Sequence, residues 1–429
     1  MSAHIELKTR LLPCLVAAAL VMQVIDPYRG WVIILVSLGG VFLLSYLWAR
    51  SLARSLRLSR EMRFGWMQVG DNLEERFTIE NTGWAPALWV ELVDQSTLPD
   101  HQINWVTGVE AGSNTRWHTQ GICSRRGLFT LGPTGLRTSD PFGIFTVQVH
   151  NPASRSLLVM PPVVPLPAIQ VAPGGRSGEG VPRPDAPEKM VSSGCVREYA
   201  AGDSLRWIHW PTTARRGKPY VRIFDGTPTS DWWIVLDLDD RVQLGSGFDS
   251  TLEHGVILAA SLTDRGIRAH HAVGLASAGK DPTWLPPGKG EIQRWAILHA
   301  LALAETGKIP LHQMLQNLQS GIRGDTSLII ITSSPDSKWI EALLPLVWRG
   351  INPTVLLLDA ATFGGTSQAS LIANTLTQSG IACYLIPRQL LNRPEARPGK
   401  EGVWQWRVTP RGRAILVQKP GDTTWKALE

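Results

Sequence analysis

Charged side chains are scarce in this chain. Asp, Glu, Lys and Arg supply 18% of its 429 residues, against about a quarter in ordinary soluble domains. Cysteine is scarcer still, with Cys14, Cys123, Cys195 and Cys383 lying far apart, and no CxxC pair among them. That excludes a disulfide scaffold and a zinc ribbon, and unpaired thiols suit a reducing compartment. No Gly-rich phosphate loop precedes a helix, so Arg215-Arg216-Gly217-Lys218 is not a nucleotide cradle. Forty Gly and thirty Pro exclude a coiled coil or an all-helical bundle. Apolar residues, in contrast, reach 44%, which excludes a largely disordered chain and points to lipid.

The net charge of +6 is unevenly spread. Residues 1–63 hold eight Lys/Arg against three acids, or +5, leaving +1 for everything after. A nucleic-acid binder would carry its basic footprint on a folded domain; here the excess flanks apolar runs. Leu11 to Ile25 is uncharged for fifteen residues and Trp31 to Ala49 for nineteen. At 1.5 Å per residue these reach roughly 22 and 28 Å, against a hydrocarbon layer of ~30 Å. Asp26-Pro27-Tyr28-Arg29-Gly30 is a tight polar turn between them, and Trp31 and Trp48 bracket the second run at headgroup level. A hairpin of two spans, 11–25 and 31–49, is predicted within residues 1–63. Lys8 and Arg10 before it, and Arg50, Arg54, Arg57, Arg60 and Arg63 after it, place both termini in the cytoplasm. A signal peptide over residues 1–25 would need a small-residue cleavage site, and none follows the run.

Residues 64–162 change to short alternating stretches broken by turns, among them Glu75 to Glu80, Leu88 to Leu92, Gly127 to Leu131 and Ile144 to Val149. This spacing predicts a small β-sandwich, in which no cluster of titratable groups stands out. Residues 163–196 are rich in Pro and Gly and read as a linker.

The densest stretch opens the next domain, 197–387. It holds Arg197-Glu198-Tyr199, Gly202-Asp203, Arg206-Trp207-Ile208-His209-Trp210 and Thr213-Ala214-Arg215. Mixed charge among large aromatics suits an ion-paired surface, with Arg197 and Arg206 forking onto Glu198 or Asp203. Trp207 and Trp210 would share a helical face. A catalytic alternative makes His209 a base oriented by Asp203 or Glu198, yet neither a nucleophile nor an oxyanion donor is marked out. No small-molecule substrate is evident.

The run from Arg197 to Arg215 closely resembles the signature of the domain of unknown function 58 family. So do the Arg-Arg-Gly-Leu-Phe-Thr-Leu-Gly-Pro and Asp-Pro-Phe-Gly-Ile-Phe turns and the N-terminal hairpin. The resemblance implies a membrane-anchored protein of the bacterial plasma membrane with a von Willebrand factor A-like domain. It also implies a MoxR-type AAA+ ATPase as partner.

After the motif, apolar strands alternate with amphipathic helices. Strands are expected at Trp232–Leu238, Ala269–Leu275, Ser327–Thr332, Thr354–Asp359 and Ile381–Ile386, in a parallel sheet whose functional edge lies at the strands' C-terminal ends. The von Willebrand A pattern holds a divalent cation there through Asp-x-Ser-x-Ser, which suits a hard ion such as Mg²⁺. Here Asp237 and Asp239 fill two slots, Arg241 the third, and Ser333-Ser334 stand where a further Asp is wanted. Arg241 is expected to hold these carboxylates in place of a metal, so no cofactor is assigned. Residues 388–429 form a basic tail with a strand-like patch at Trp404–Val408.

The expected protein is thus a membrane hairpin, a β-sandwich and an α/β domain. It serves as a non-catalytic scaffold on the lipid bilayer that presents Arg197, Glu198, Tyr199, Gly202, Asp203, Arg206, His209, Trp210 and Arg215. Metal-dependent adhesion through Asp237 and Asp239, and hydrolysis at His209, are the alternatives.

Overall fold

A computed structural model describes residues 2–62, 65–101, 103–166, 169–174, 191–200, 205, 208–225, 231–319, 321–322, 326–366 and 369–390. It also describes the strands Gln405–Val408, Ala414–Gln418 and Lys426–Ala427. Two compact units emerge, residues 1–160 with 398–429, and residues 161–397.

The first unit opens with strand β1 (Ser2–Leu7), followed by helices α1 (Leu11–Ile25) and α2 (Arg29–Ser55). Strands β2 (Leu56–Met62), β3 (Trp66–Gln68), β4 (Asn72–Asn81), β5 (Ala87–Asp94) and β6 (Trp105–Val109) come next. Then follow β7 (Ser113–Ile122), β8 (Gly127–Leu131), β9 (Thr134–Ser139), β10 (Phe145–Asn151) and β11 (Arg155–Met160). One sheet runs β1-β10-β9-β5-β6; a second places Lys426–Ala427 beside β2-β4-β7; a third is β3-β11-β8. Leu58, Phe77, Ile79 and Trp117 of the second sheet share a core with Val90, Leu92, Leu136 and Val147 of the first.

The helices leave this unit and return to it, because β1 pairs with β10 and β2 with β4. The second apolar run is longer than its uncharged stretch, since α2 has 27 residues, roughly 40 Å. Its far end is not free. Ala49 and Leu52 are fully buried in the unit's core, with Val41, Phe42 and Trp48 packed beside them. Phe42 and Tyr46 both meet the Phe145 ring, at 5.4 and 5.8 Å. Trp48, expected at headgroup level, donates from Nε1 to the Pro86 carbonyl at 3.2 Å. On the other side of the helix Leu43, Leu44 and Leu47 remain exposed, as do Val32, Ile33, Ile34 and Val36 further out. By length and composition α2 is long and apolar enough to cross a membrane.

A buried charge cluster replaces the expected absence of titratable groups. Strand alternation turns Arg60 and Glu75 inward with Leu58, Phe77 and Ile79. Arg60 Nε donates to Glu75 Oε1 at 2.7 Å and its Nη1 to Asp94 Oδ1 at 2.9 Å, while His101 Nε2 lies 2.6 Å from Glu75 Oε2. Arg60 is therefore a structural charge, so Arg50, Arg54 and Arg57 are the exposed arginines following the span among the described residues. Arg63 lies outside them.

The second unit begins with a strap. Residues 164–173, expected to be linker, are bonded to the α/β body: Val164 N donates to Ser261 Oγ, Ala172 N to Thr354 Oγ1, and Ser327 Oγ to the Ala172 carbonyl. Arg265 and Asn352 add side-chain bonds to the carbonyls of Ile169 and Pro173. Next come β12 (Val191–Glu198), α3 (Trp210–Arg216) and β13 (Tyr220–Asp225), the two strands pairing as an antiparallel ribbon. The body holds β14 (Trp232–Leu236), α4 (Thr251–Arg268), β15 (Val273–Ala278), β16 (Pro282–Gly288), α5 (Gly290–Ala302) and α6 (Leu311–Leu318). It ends with β17 (Ser327–Thr332), α7 (Lys338–Trp348), β18 (Asn352–Leu358), α8 (Ala369–Gln378) and β19 (Ala382–Ile386). Strand order is β16-β15-β14-β17-β18-β19. Five strands are parallel and β16, absent from the sequence reading, is antiparallel to β15. Its prolines hid it, and an edge is where prolines are tolerated in a sheet. In the tail, the strand-like patch does form a strand, Gln405–Val408, paired with Ala414–Gln418.

Burial pushes the Glu75 carboxyl up, but the His101 hydrogen bond and the Arg60 charge outweigh it and hold Glu75 below its ordinary 4.5. A depressed carboxylate stabilises the fold above that value, and the contribution is lost as pH falls through the folded pKa. Glu75→Gln is expected to cost about 2–4 kcal/mol at neutral pH. It should also weaken the acid-driven loss of stability below that value. Urea titration of the detergent-solubilised chain at several pH values, read by tryptophan fluorescence, checks both.

Candidate functional site

Two places in the second unit gather the residues singled out by sequence. The first is the ribbon β12–β13 with α3 between its strands. His209 precedes α3 as its N-cap: Nδ1 accepts from the Thr212 backbone N–H at 3.3 Å and lies 2.8 Å from Thr212 Oγ1. Pro211 follows in the first helical turn, where its missing N–H costs nothing. Gly217 closes the helix at φ +70°, a left-handed cap that a side chain would strain. The backbone ties the segment down, with Tyr199 N donating to the Pro219 carbonyl and His209 N to the Tyr220 carbonyl.

Of the residues expected to pair, Arg197 and Glu198 lie among the described ones. Arg197 Nη1 donates to the Glu198 backbone carbonyl at 3.2 Å. The Glu198 carboxylate instead accepts from the Tyr220 hydroxyl at 3.3 Å and lies 3.6 Å from Lys218 Nζ. Arg216 lies over the Tyr220 ring at 5.4 Å. The pairing of Lys218 and Tyr220 with Glu198 is not legible in the sequence, because their partner lies some twenty residues away across the ribbon. Arg197, Glu198 and Arg215 are exposed, and Trp210 and Leu205 are each 68% exposed. Trp210 opens α3. Gly202, Asp203, Arg206 and Trp207 lie outside the described residues.

The second place is the C-terminal edge of the sheet. Asp237 and Asp239 follow β14 and are both buried. Asp237 Oδ2 accepts from Thr332 Oγ1 at 2.6 Å and its Oδ1 from the Asp239 backbone N–H at 3.2 Å. Arg241 grips Asp239 with a fork, Nε to Oδ1 at 2.9 Å and Nη2 to Oδ2 at 2.7 Å. Ser333 Oγ donates to the Val242 carbonyl. Thr332, unmarked in the sequence, proves to be the hydroxyl that meets Asp237; its position at the end of the adjacent parallel strand was the available signal. Among the described residues no group of three His, Cys, Asp or Glu side chains gathers to hold a metal. The donor set does not fit a dication, which would have to displace the Arg241 guanidinium to reach Asp239.

Burial raises Asp237 to about 6, against the smaller opposing effects of Thr332 and the Asp239 amide. A carboxyl raised in the folded state is most stabilising when protonated, so stability falls as pH rises from about 4 to about 6 and stays lower above. Asp237→Asn should raise stability at pH 7.5 by roughly 1–3 kcal/mol and flatten that slope. Denaturant titration across pH 4–8 measures both effects.

Residues 195–343 match the family model described as protein of unknown function DUF58. Uncharacterized proteins of Mycobacterium tuberculosis and Mycobacterium bovis are 24% identical over 135 residues, 31% of this chain and 39% of each relative. The chain thus spans well under half the length of these relatives. Among solved structures, an aerotolerance-related membrane protein from Bacteroides fragilis aligns with 16% identity and TM-score 0.28, over 39% of this chain and 98% of that one. The SpRpn10 VWA domain aligns with 14% identity and TM-score 0.27, over 40% and 98%. The stretch similar to the DUF58 model runs from the ribbon into the helix after β17.

Proposed function

We propose that this chain is a membrane-anchored, non-catalytic binding module. Its α1–α2 hairpin sits in the bilayer, its termini lie in the cytoplasm, and its second unit is a von Willebrand A-like domain that docks another protein. The observation that carries the docking reading is the ribbon's surface: Trp210, Leu205, Arg215 and Arg216 are all exposed, and α3 is held by its caps and by cross-strand backbone bonds. Exposed Trp and Arg on a rigid frame are what dominate protein interfaces energetically. A MoxR-type AAA+ ATPase is the partner proposed, on the strength of the family resemblance.

The hairpin reading is supported by the apolar surface of two successive helices: α1 has 15 residues, about 22 Å, and α2 exposes Val32, Ile33, Ile34 and Val36 ahead of Val41 and Phe42, where it meets the core. Both helices are flanked by strands of one unit, so a crossing and a return are what the connectivity permits. Exposed Arg50 and Arg54 in the last turns of the second helix, and Arg57 just after it, favour a cytoplasmic location for that unit.

Crosslinking in intact cells followed by mass spectrometry tests the docking. The wild type should capture a MoxR-type ATPase, and Trp210→Ala with Arg215→Glu should reduce capture roughly thirty-fold, as loss of an interface hot spot does. Equal capture by both, or no such ATPase at all, overturns the reading. Digestion of the second unit by protease added to sealed right-side-out vesicles overturns the topology.

A further inference from the structure

On the outer side of the docked last turns of α2, the helix and the turn at Thr82–Trp84 border an open cavity of about 570 Å³. Leu47, Arg50, Ser51, Arg54 and Trp84 line it. Arg50 and Arg54 are four apart and so project from the same face of the helix, one turn above the other. Both are exposed, and neither has an ion-pair partner among the described residues, although elsewhere in the unit Arg60 and Arg76 are paired. Two adjacent guanidinium groups without a carboxylate repel each other, and an anion between them relieves that repulsion. Ser51 lies between them in sequence and adds a hydroxyl.

The turn is built to stay close to the helix. Thr82 N donates to the Ser55 carbonyl, and Gly83 N to Asn81 Oδ1 at 3.1 Å. A Cβ on Gly83 would lie 2.5 Å from Ser55 Oγ and 2.8 Å from Ser51 Oγ, so this close approach requires glycine. The chemistry of the wall is graded along the helix. Leu43, Leu44 and Leu47 are exposed one to two turns before the arginines, and Trp84, 60% exposed, stands edge-on to Trp48 at 5.6 Å. An apolar rim, an aromatic belt and then two unpaired guanidinium groups match, in order, acyl chain, glycerol level and phosphate.

We infer that this cavity is a binding site for the phosphate of an anionic phospholipid headgroup, with Arg50 and Arg54 clamping the phosphate and Leu47 meeting the chain. The inference rests on the membrane reading above. It goes further by naming a lipid class and the residues that select it.

Native mass spectrometry of the full chain, released from vesicles of equal phosphatidylglycerol and phosphatidylcholine, tests it. The wild type should retain phosphatidylglycerol preferentially, and Arg50→Gln with Arg54→Gln should reduce that preference roughly ten- to thirty-fold. Arg50→Lys with Arg54→Lys keeps the charge and should keep most of the preference, which separates loss of the site from loss of the fold. Retention of phosphatidylglycerol unchanged in the Gln variant, or no preference in the wild type, overturns the site. Complete displacement by millimolar inorganic phosphate assigns the site to free phosphate and overturns the lipid source. Alkaline carbonate extraction is run beside it: a wild type found in the soluble fraction defeats the membrane reading itself, whereas a pelleted wild type without lipid preference defeats this site alone.

Discussion

One helix, α2, has both an exposed apolar stretch and a stretch buried in the β core, and the first unit depends on that. Its outer turns present Val32, Ile33 and Val36 to the surroundings, while its inner turns bury Ala49 and Leu52 in the β core. Burying Leu52 alone contributes about 2 kcal/mol. Because an α-helix is hydrogen-bonded continuously along its length, the unit is joined to the hairpin by a rigid element. Phe42 and Tyr46 on the Phe145 ring fix the rotation of the helix about its own axis as well. The result is a domain held in a set attitude to whatever surrounds α1 and α2, unlike one tethered by a loose chain.

The charges obey a corresponding economy. Few in number, many are committed to named partners inside the fold. Arg60 satisfies Glu75 and Asp94, and Arg241 satisfies Asp239. Arg294 and Arg268 share Asp264. Against that background Arg50 and Arg54, exposed at the end of α2, have no ion-pair partner among the described residues.

Much of the α/β unit was legible in the sequence because its signals are local. Ser327–Thr332 has the bounds that its apolar run predicts, and the other parallel strands shift by only a few residues. What escaped was non-local. β16 contains three prolines and looks like a loop until its partner β15 is known. The strap at 164–173 has linker composition, and only the hydroxyls of Ser261, Ser327 and Thr354 reveal that it is fastened. At the candidate sites, sequence found Asp237, Asp239 and Arg241 because they are adjacent, but Thr332 reaches Asp237 across ninety-five positions. The Arg60–Glu75 cluster was within reach: Glu75 has the same parity as Phe77 and Ile79, so an inward charge was implied, and a neutralising neighbour with it.

Pro282, Pro286 and Pro287 have a consequence beyond concealing their strand. Each removes an amide donor from the margin of the six-stranded sheet. A foreign strand seeking to extend the ladder there would meet a broken row of donors, so runaway pairing between crowded copies is discouraged on that flank. Such insurance matters most where molecules share a plane at high density.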